Sequence, residues 1–196
     1  MFFSRVASFL TFALVIGSQV IASPVADLEK RADSTAAIQG VFTTLKTTTD
    51  SVLPQLQSIA ANKNASSTQI KSLINDVVVA VNNAHSQVLL MNIDPSTVDT
   101  NDVAQTLANT ISDITSTLNP VQQAFPDVIT TTNIRPMDLA LTGLTGGLGD
   151  LLPGLLGLLT SLLGGLLGGL LGGLLGSLGL NLLLGLLGVF LEEFSK

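Results

Sequence analysis

Residues 67–89 read STQIKSLINDVVVAVNNAHSQVL, and this stretch contains the clearest helical pattern of the chain. Its apolar residues recur three and four positions apart, the spacing that brings side chains to one face of an α-helix. Ser66 or Ser67 is the expected N-cap, because a serine hydroxyl accepts a hydrogen bond from the free amides of a first turn. The apolar face is wide, so it requires partner helices. Its members are Ile70, Leu73, Ile74, Val77, Val78, Val81, Ala84, Val88 and Leu89.

Similar patterns lie on both sides of this helix. Apolar residues at helical spacing predict a first helix between Ser34 and Ala61, which Pro54 should kink or split. A third helix is expected from about Thr100, with its end at Pro120. Residues 130–136 are expected to form a linker. Helices with short connections favour a small antiparallel up-and-down bundle.

The second half of the chain has a different composition. Residues 163–176 read LGGLLGGLLGGLLG, and no charged residue occurs between Leu151 and Leu191. A single helix of that length would extend about 60 Å, twice the hydrocarbon thickness of a bilayer. Two helical segments with a bend at residues 176–181 fit better. Helix is favoured over strand because leucine and glycine lack a strong β preference.

These patterns predict an all-α protein: a small antiparallel helical bundle, residues 32–136, followed by a Leu/Gly-rich hydrophobic tail, residues 139–196, that is helical or partly disordered. The tail contains more leucine than one small domain can cover, so an apolar boundary, lipid or another copy of the chain must cover the rest. The residues expected at this interface are Leu155, Leu156, Leu162, Leu163, Gly164, Gly165, Leu166, Leu167, Gly168, Gly169, Leu170, Leu171, Gly172 and Gly173.

The N-terminal residues indicate export. Residues 1–22 combine an early arginine with an apolar run and end in Val-Ile-Ala, which predicts a signal peptide cut after Ala22. Residues 23–31 then read as a propeptide that ends in the dibasic pair Lys30-Arg31. Asn64 begins the sequon Asn-Ala-Ser and is a candidate glycosylation site. We therefore expect a secreted glycoprotein.

Composition excludes several functions. The net charge of −6 and the lack of a basic cluster argue against a nucleic-acid partner. The chain has no cysteine, so it has neither a disulfide framework nor a thiolate metal site. His85 is the sole histidine and is expected as a boundary or partly buried residue of the second helix rather than as a catalytic group. We expect no enzyme activity, no metal and no cofactor.

An acidic cluster after the second helix could be imagined as a calcium loop. It lacks the glycine and the closing glutamate that such a loop requires. Helix capping is therefore the expected role of its members, Asp94, Asp99, Asn101 and Asp102.

The order of segments resembles that of a known group of proteins. The signal peptide, Lys30-Arg31, a polar half with VLPQL at 52–56 and LIND at 73–76, and the Leu/Gly tail together resemble the cysteine-free secreted wall proteins of mushroom-forming fungi, of the Schizophyllum type. That resemblance implies an amphiphile of the cell wall and aerial hyphae. The polar half is also similar to the fungal hydrophobic-surface-binding and wall galactomannoprotein family.

The expected function is that of a structural, surface-active wall protein that binds hydrophobic interfaces or itself through the tail. Two alternatives remain open at this point. The tail could anchor the protein in a membrane as a helical hairpin, or the protein could be a secreted carrier of lipid or another apolar ligand.

Overall fold

The structure, a computed structural model, describes the backbone of residues 24–63, 65–166 and 171–193, and the side chains of residues 34–63, 65–165 and 174–188. Within these residues the protein is all-α, as predicted from the sequence, and contains no strand. The elements are α1 (Pro24–Asn62), α2 (Ser67–Leu90), a 3-10 turn (Pro95–Thr97), α3 (Thr100–Ala124), α4 (Thr131–Leu151), α5 (Leu155–Leu166), α6 (Leu171–Leu178) and α7 (Asn181–Glu193).

Polar side chains begin the helices where the sequence predicts. Ser66 is the N-cap of α2, and its hydroxyl accepts a hydrogen bond of 3.2 Å from the amide of Gln69. Asp99 caps α3 by accepting hydrogen bonds from the amides of Asn101 and Asp102. These contacts occupy donors that have no partner inside the helix.

Three of the described helices contain an internal proline: Pro54 in α1, Pro120 in α3 and Pro136 in α4. Pro54 does not split α1, and α3 passes Pro120 and ends only at Ala124. The expectation that α3 ends at Pro120 is therefore wrong. A proline inside a helix costs about 3 kcal/mol, but here the helix carries apolar side chains into the core on both sides of it. In α3 these are Leu118, 1% exposed, and Val121, fully buried.

Residues 130–136, expected as a linker, instead begin α4. The Thr130 hydroxyl caps this helix by accepting a hydrogen bond from the amide of Asn133. Ile134 and Met137, on either side of Pro136 within the first turns, are fully buried. Burial of these two side chains explains why the segment is helical despite its threonines and proline.

Helices α1 and α3 run in the same direction. Near their starts, the Asp99 amide donates to the Thr35 hydroxyl, and further along the Gln57 amide group donates to the Thr117 hydroxyl. The intervening helix α2 must return between them, because only four residues of sequence separate the end of α1 from the start of α2. Consecutive long helices therefore alternate in direction, as in an up-and-down bundle.

Helices α2 and α4 are also parallel to each other. Lys71, near the start of α2, lines the same groove as Thr132 of α4, and His85 lies further along against Gly143. The buried apolar residues of both compositional halves form one continuous core. The change in composition between residues 136 and 139 therefore lies inside α4 and does not coincide with a break between elements.

Candidate functional site

The candidate site is the group of helices built from the Leu/Gly segment. We call residues 155–166 and 171–191 the leucine layer; they comprise α5, α6 and nearly all of α7. The layer packs against α3 and α4, whereas the main neighbours of α1 and α2 are each other, α3 and α4. The leucine layer thus lies on the side of α3 and α4 that is remote from α1 and α2.

One face of the leucine layer belongs to the core. A leucine side chain that is fully removed from water stabilises the fold by about 1.5–3 kcal/mol. The buried face therefore attaches the layer to the bundle. The buried leucines, each at most 1% exposed, are Leu155, Leu159, Leu163, Leu175, Leu178, Leu180, Leu183 and Leu187.

The outer face of the leucine layer is uncharged. Leu182 is 44% exposed, and a second group of leucines is half-buried. Gly165 and Gly185 are exposed between them. Because the layer contains no ionisable residue, its whole outer surface is neutral at any pH. The half-buried leucines are Leu156, Leu158, Leu162, Leu174, Leu184 and Leu186.

A buried carboxylate connects the leucine layer to α4. Asp138 is 3% exposed, and its two oxygens accept hydrogen bonds from the amides of Leu182 and Leu183, each 2.9 Å long. These amides belong to the first turn of α7, where donors lack partners in the helix and the helix dipole favours a negative charge. Asp138 therefore acts as an N-terminal cap supplied by another helix.

Sequence analysis missed this residue. The one available signal is that Asp138 lies on the apolar stripe of α4, between Ile134 and Leu141, where a charged residue is buried only with partners. The partner amides are 44 and 45 residues further along the chain, so no local pattern could identify them.

Two glycines with positive φ shape the layer. Gly179, with φ of 80°, ends α6 in a Schellman motif, in which the Leu180 amide bonds to the Leu175 carbonyl. This turn confirms the predicted bend within residues 176–181. Gly154, with φ of 84°, forms a second turn between α4 and α5 that the sequence analysis did not predict.

The side of the bundle formed by α1 and α3 has the opposite character. A groove of about 420 Å³ between these helices is lined mainly by threonine, asparagine and glutamine side chains. At its edge the Lys46 ammonium bonds to the Asp50 carboxylate at 2.8 Å, and both side chains are exposed. This hydrogen bond raises the pKa of Lys46, and the negative charge of Asp50 raises it further.

Asp94, like Asp99, caps a helical turn, because its carboxylate accepts a hydrogen bond from the Ser96 amide.

The interface residues expected from the sequence divide into four groups: buried residues, residues that are at least partly exposed, residues with only the backbone described, and residues outside the described part of the chain. Leu155 and Leu163 are buried in the core; Leu156, Leu162 and Gly164 are half-buried, and Gly165 is exposed. Only the backbone is described for Leu166, Leu171, Gly172 and Gly173. Leu167, Gly168, Gly169 and Leu170 lie outside the described residues.

The expected processing and glycosylation sites are only partly covered. Lys30 and Arg31 lie in the backbone of α1, and their side chains are not described. Ala22 and Asn64 lie outside the described residues. The signal-peptide, cleavage and glycan assignments therefore stay predictions.

No helix among the described residues is both long and apolar enough to cross a membrane. In the same part of the chain, no three His, Asp or Glu side chains are grouped so that they could hold a metal ion. No protein-family model matches the chain, and no curated protein is significantly similar to it.

Proposed function

We propose that this protein is a secreted, structural, surface-active component of a fungal cell wall, which attaches to hydrophobic interfaces through its leucine layer. The observation that carries the proposal is the separation of chemistry within one bundle. The outer face of the leucine layer is neutral and rich in leucine, while α1 and α3 expose threonine, asparagine and ionised side chains. Helix α2 is intermediate, since it also exposes Val79, Leu89 and Leu90.

Physical chemistry favours such a molecule at a boundary between water and an apolar phase. Exposed leucine gains free energy when it leaves water, in proportion to the apolar area removed. Charged and hydroxyl-bearing helices lose free energy if they leave water. A bundle with these two surfaces on different sides satisfies both conditions only at a boundary. Contact with a second copy through the same face would be another way to remove that face from water.

The proposal is tested by adding charge to the outer face. The triple variant Ser161→Lys, Gly165→Lys and Leu182→Lys changes three exposed positions of the leucine layer. We expect its adsorption to an air–water surface, measured by tensiometry, and to alkyl-coated beads to fall at least tenfold. The physical reason is that each ammonium must lose its hydration at an apolar boundary.

The matched control adds the same charge to α1. Thr44→Lys, Thr47→Lys and Ser58→Lys also change exposed helical positions, and this variant should adsorb like the unmodified protein. Equal adsorption by both variants would contradict the proposal. Binding to phospholipid vesicles but not to beads or air–water surfaces would instead favour the membrane alternative.

A further inference from the structure

We infer that the leucine layer opens away from the bundle as a cooperative unit, and that this opening adds the inner apolar face of the layer to the outer face that adsorbs; its biological meaning rests on the proposed function. The layer buries its largest apolar area inward, where no boundary can reach it. Full use of the layer at an interface therefore requires a change of structure.

In the described part of the chain, few hydrogen bonds join the leucine layer to the other helices. Among the described side chains, the hydrogen bonds that join the layer to the other helices come from Asp138 and from Gln122, whose amide group donates to the Ser177 carbonyl at 2.6 Å. All other attachment is apolar contact, which has no preferred direction and which another apolar phase can replace. An interface can thus compensate for the loss of the apolar contacts. The remaining cost is that of breaking the hydrogen bonds made by Asp138 and Gln122.

Glycines in the layer weaken its helices without serving the fold. A Cβ atom added at Gly164, Gly165, Gly185 or Gly188 would meet no atom within 4 Å. Each such glycine lowers helix stability by about 1 kcal/mol relative to alanine. The last turn of α4 is different, because a Cβ at Gly149 would lie 2.8 Å from the Leu156 side chain of α5.

The helices of the layer are too short to persist once detached. Within the residues that the structure describes they contain 12, 8 and 13 residues, whereas isolated helices below about 12–15 residues are marginal in water even without glycine. Detachment and loss of helix should therefore occur together. Amide hydrogen exchange measures this event directly, since exchange requires that the backbone hydrogen bonds open.

The test is hydrogen exchange by mass spectrometry on the full chain and three variants. Asp138→Asn removes the charge that caps α7. A quadruple variant replaces Gly164, Gly165, Gly185 and Gly188 by alanine. Gly40→Ala is the matched control, because Gly40 is an exposed helical glycine of α1 that also has open space around its Cβ position.

In the unmodified protein, we expect the amides of α5 and α7 to exchange at least tenfold faster than the slowest amides of α2 and α3. Asp138→Asn should accelerate exchange in the layer by about tenfold or more, since a hydrogen bond to a charged group is lost. The quadruple alanine variant should slow it by up to roughly a thousandfold, because four substitutions of about 1 kcal/mol each sum to about 4 kcal/mol. Gly40→Ala should leave exchange in the layer unchanged.

Equal exchange rates in the layer and in α2 and α3 would overturn the inference, as would equal acceleration of all helices by Asp138→Asn. Adsorption to alkyl-coated beads separates this result from the proposed function. If the opened form adsorbs, adsorption rates follow the same order as the exchange rates. Equal adsorption rates in all variants would overturn the link between opening and adsorption. If the leucine layer exchanges faster than α2 and α3 but the protein does not adsorb, the proposed function is refuted. The cooperative opening of the layer is then still established.

Discussion

The imidazole of His85 lies so close to Gly143 that a Cβ atom at position 143 would be 2.9 Å from its Nδ1 atom. Helices α2 and α4 approach each other closely at this point because residue 143 has no side chain. Gly143→Ala should therefore destabilise the protein by about 1–3 kcal/mol, the usual cost of overpacking. Urea unfolding followed by circular dichroism measures this change.

Gly146 is the matched control for that substitution. It lies in the same helix, and a Cβ there would meet no atom within 4 Å. Gly146→Ala should raise stability by up to about 1 kcal/mol, because alanine is the better helix former. In a His85→Ala background, Gly143→Ala should no longer be costly. A cost that persists without the imidazole would show that the contact with His85 is not its cause.

A buried hydroxyl in α4 predicts a stabilising substitution. Thr145 is fully buried, and its hydroxyl has no hydrogen-bond partner within the described part of the chain. Thr145→Val replaces that hydroxyl by a methyl group of similar size and should raise the free energy of unfolding by about 1 kcal/mol or more. Thr115 is equally buried, but its hydroxyl donates to the Ile111 carbonyl at 2.8 Å. Thr115→Val should therefore not stabilise, and a similar gain at both positions would contradict the argument.

The N-cap of α3 should contribute measurably to stability. The Asp99 carboxylate accepts hydrogen bonds from the amides of Asn101 and Asp102, at 3.0 and 3.2 Å. Asp99→Ala should lower the free energy of unfolding by about 1 kcal/mol. Asp99→Ser retains an acceptor and should lose less. Thermal unfolding of the two variants decides whether capping is the cause.

The glycine that ends α6 should tolerate no side chain. Gly179 has a φ of 80°, and a Cβ there would lie 3.3 Å from the Ile134 side chain. Gly179→Ala should destabilise the protein by about 1–2 kcal/mol, because a left-handed backbone strains any residue with a Cβ atom. Gly176→Ala, at a position with open space, serves as the control. If the two variants unfold alike, the Schellman turn does not depend on the conformation of Gly179.

The ion pair between Lys46 and Asp50 should affect the pKa of Lys46 more than it affects the stability of the fold. The pKa of Lys46 is raised by its hydrogen bond to Asp50, then by the charges of Asp50 and Asp113. A lysine whose pKa is raised by folding contributes stability to the folded state at every pH below the usual lysine pKa. This contribution is lost as the pH rises through the raised pKa. The side chains are 65% and 59% exposed, so solvent screens the pair.

Asp50→Asn should therefore lower the pKa of Lys46 while the melting temperature at neutral pH stays unchanged. Asp113→Asn should lower that pKa by less. Nuclear magnetic resonance titration of the lysine side chain measures both effects. A pronounced loss of melting temperature in Asp50→Asn would contradict the assignment of this pair to the solvated surface.

Local sequence signals were sufficient for much of the fold. The apolar spacing in α2, its Ser66 cap and the start of α3 at Thr100 depend on interactions within a few residues, and the structure confirms them. Leu89 is the exception: it was expected on the apolar face of α2, but it is 62% exposed. Pro120 and the segment from Thr130 to Pro136 were misread, because distant core contacts outweigh the local preference against helix there. Helix propensity describes only the local preference of a residue, so it cannot account for the burial of Val121 or Ile134 in the core.

The site was predicted less completely for the same reason. Composition identified the Leu/Gly segment and the bend near Gly179, but it could not show which leucines face inward. In a segment with leucine and glycine on every side, no amphipathic stripe distinguishes the buried face from the outer one. Only the position of α3 and α4 decides that Leu159 is buried and Leu182 is exposed.

The contact between Asp138 and the start of α7 has a consequence for register. Leucine and glycine recur at such short intervals after residue 155 that neighbouring alignments of the repeat offer similar side chains to the core. Apolar packing alone distinguishes such alignments poorly, whereas one carboxylate satisfied by the amides of Leu182 and Leu183 fits a single alignment. Asp138 therefore makes one alignment of a nearly degenerate sequence unique.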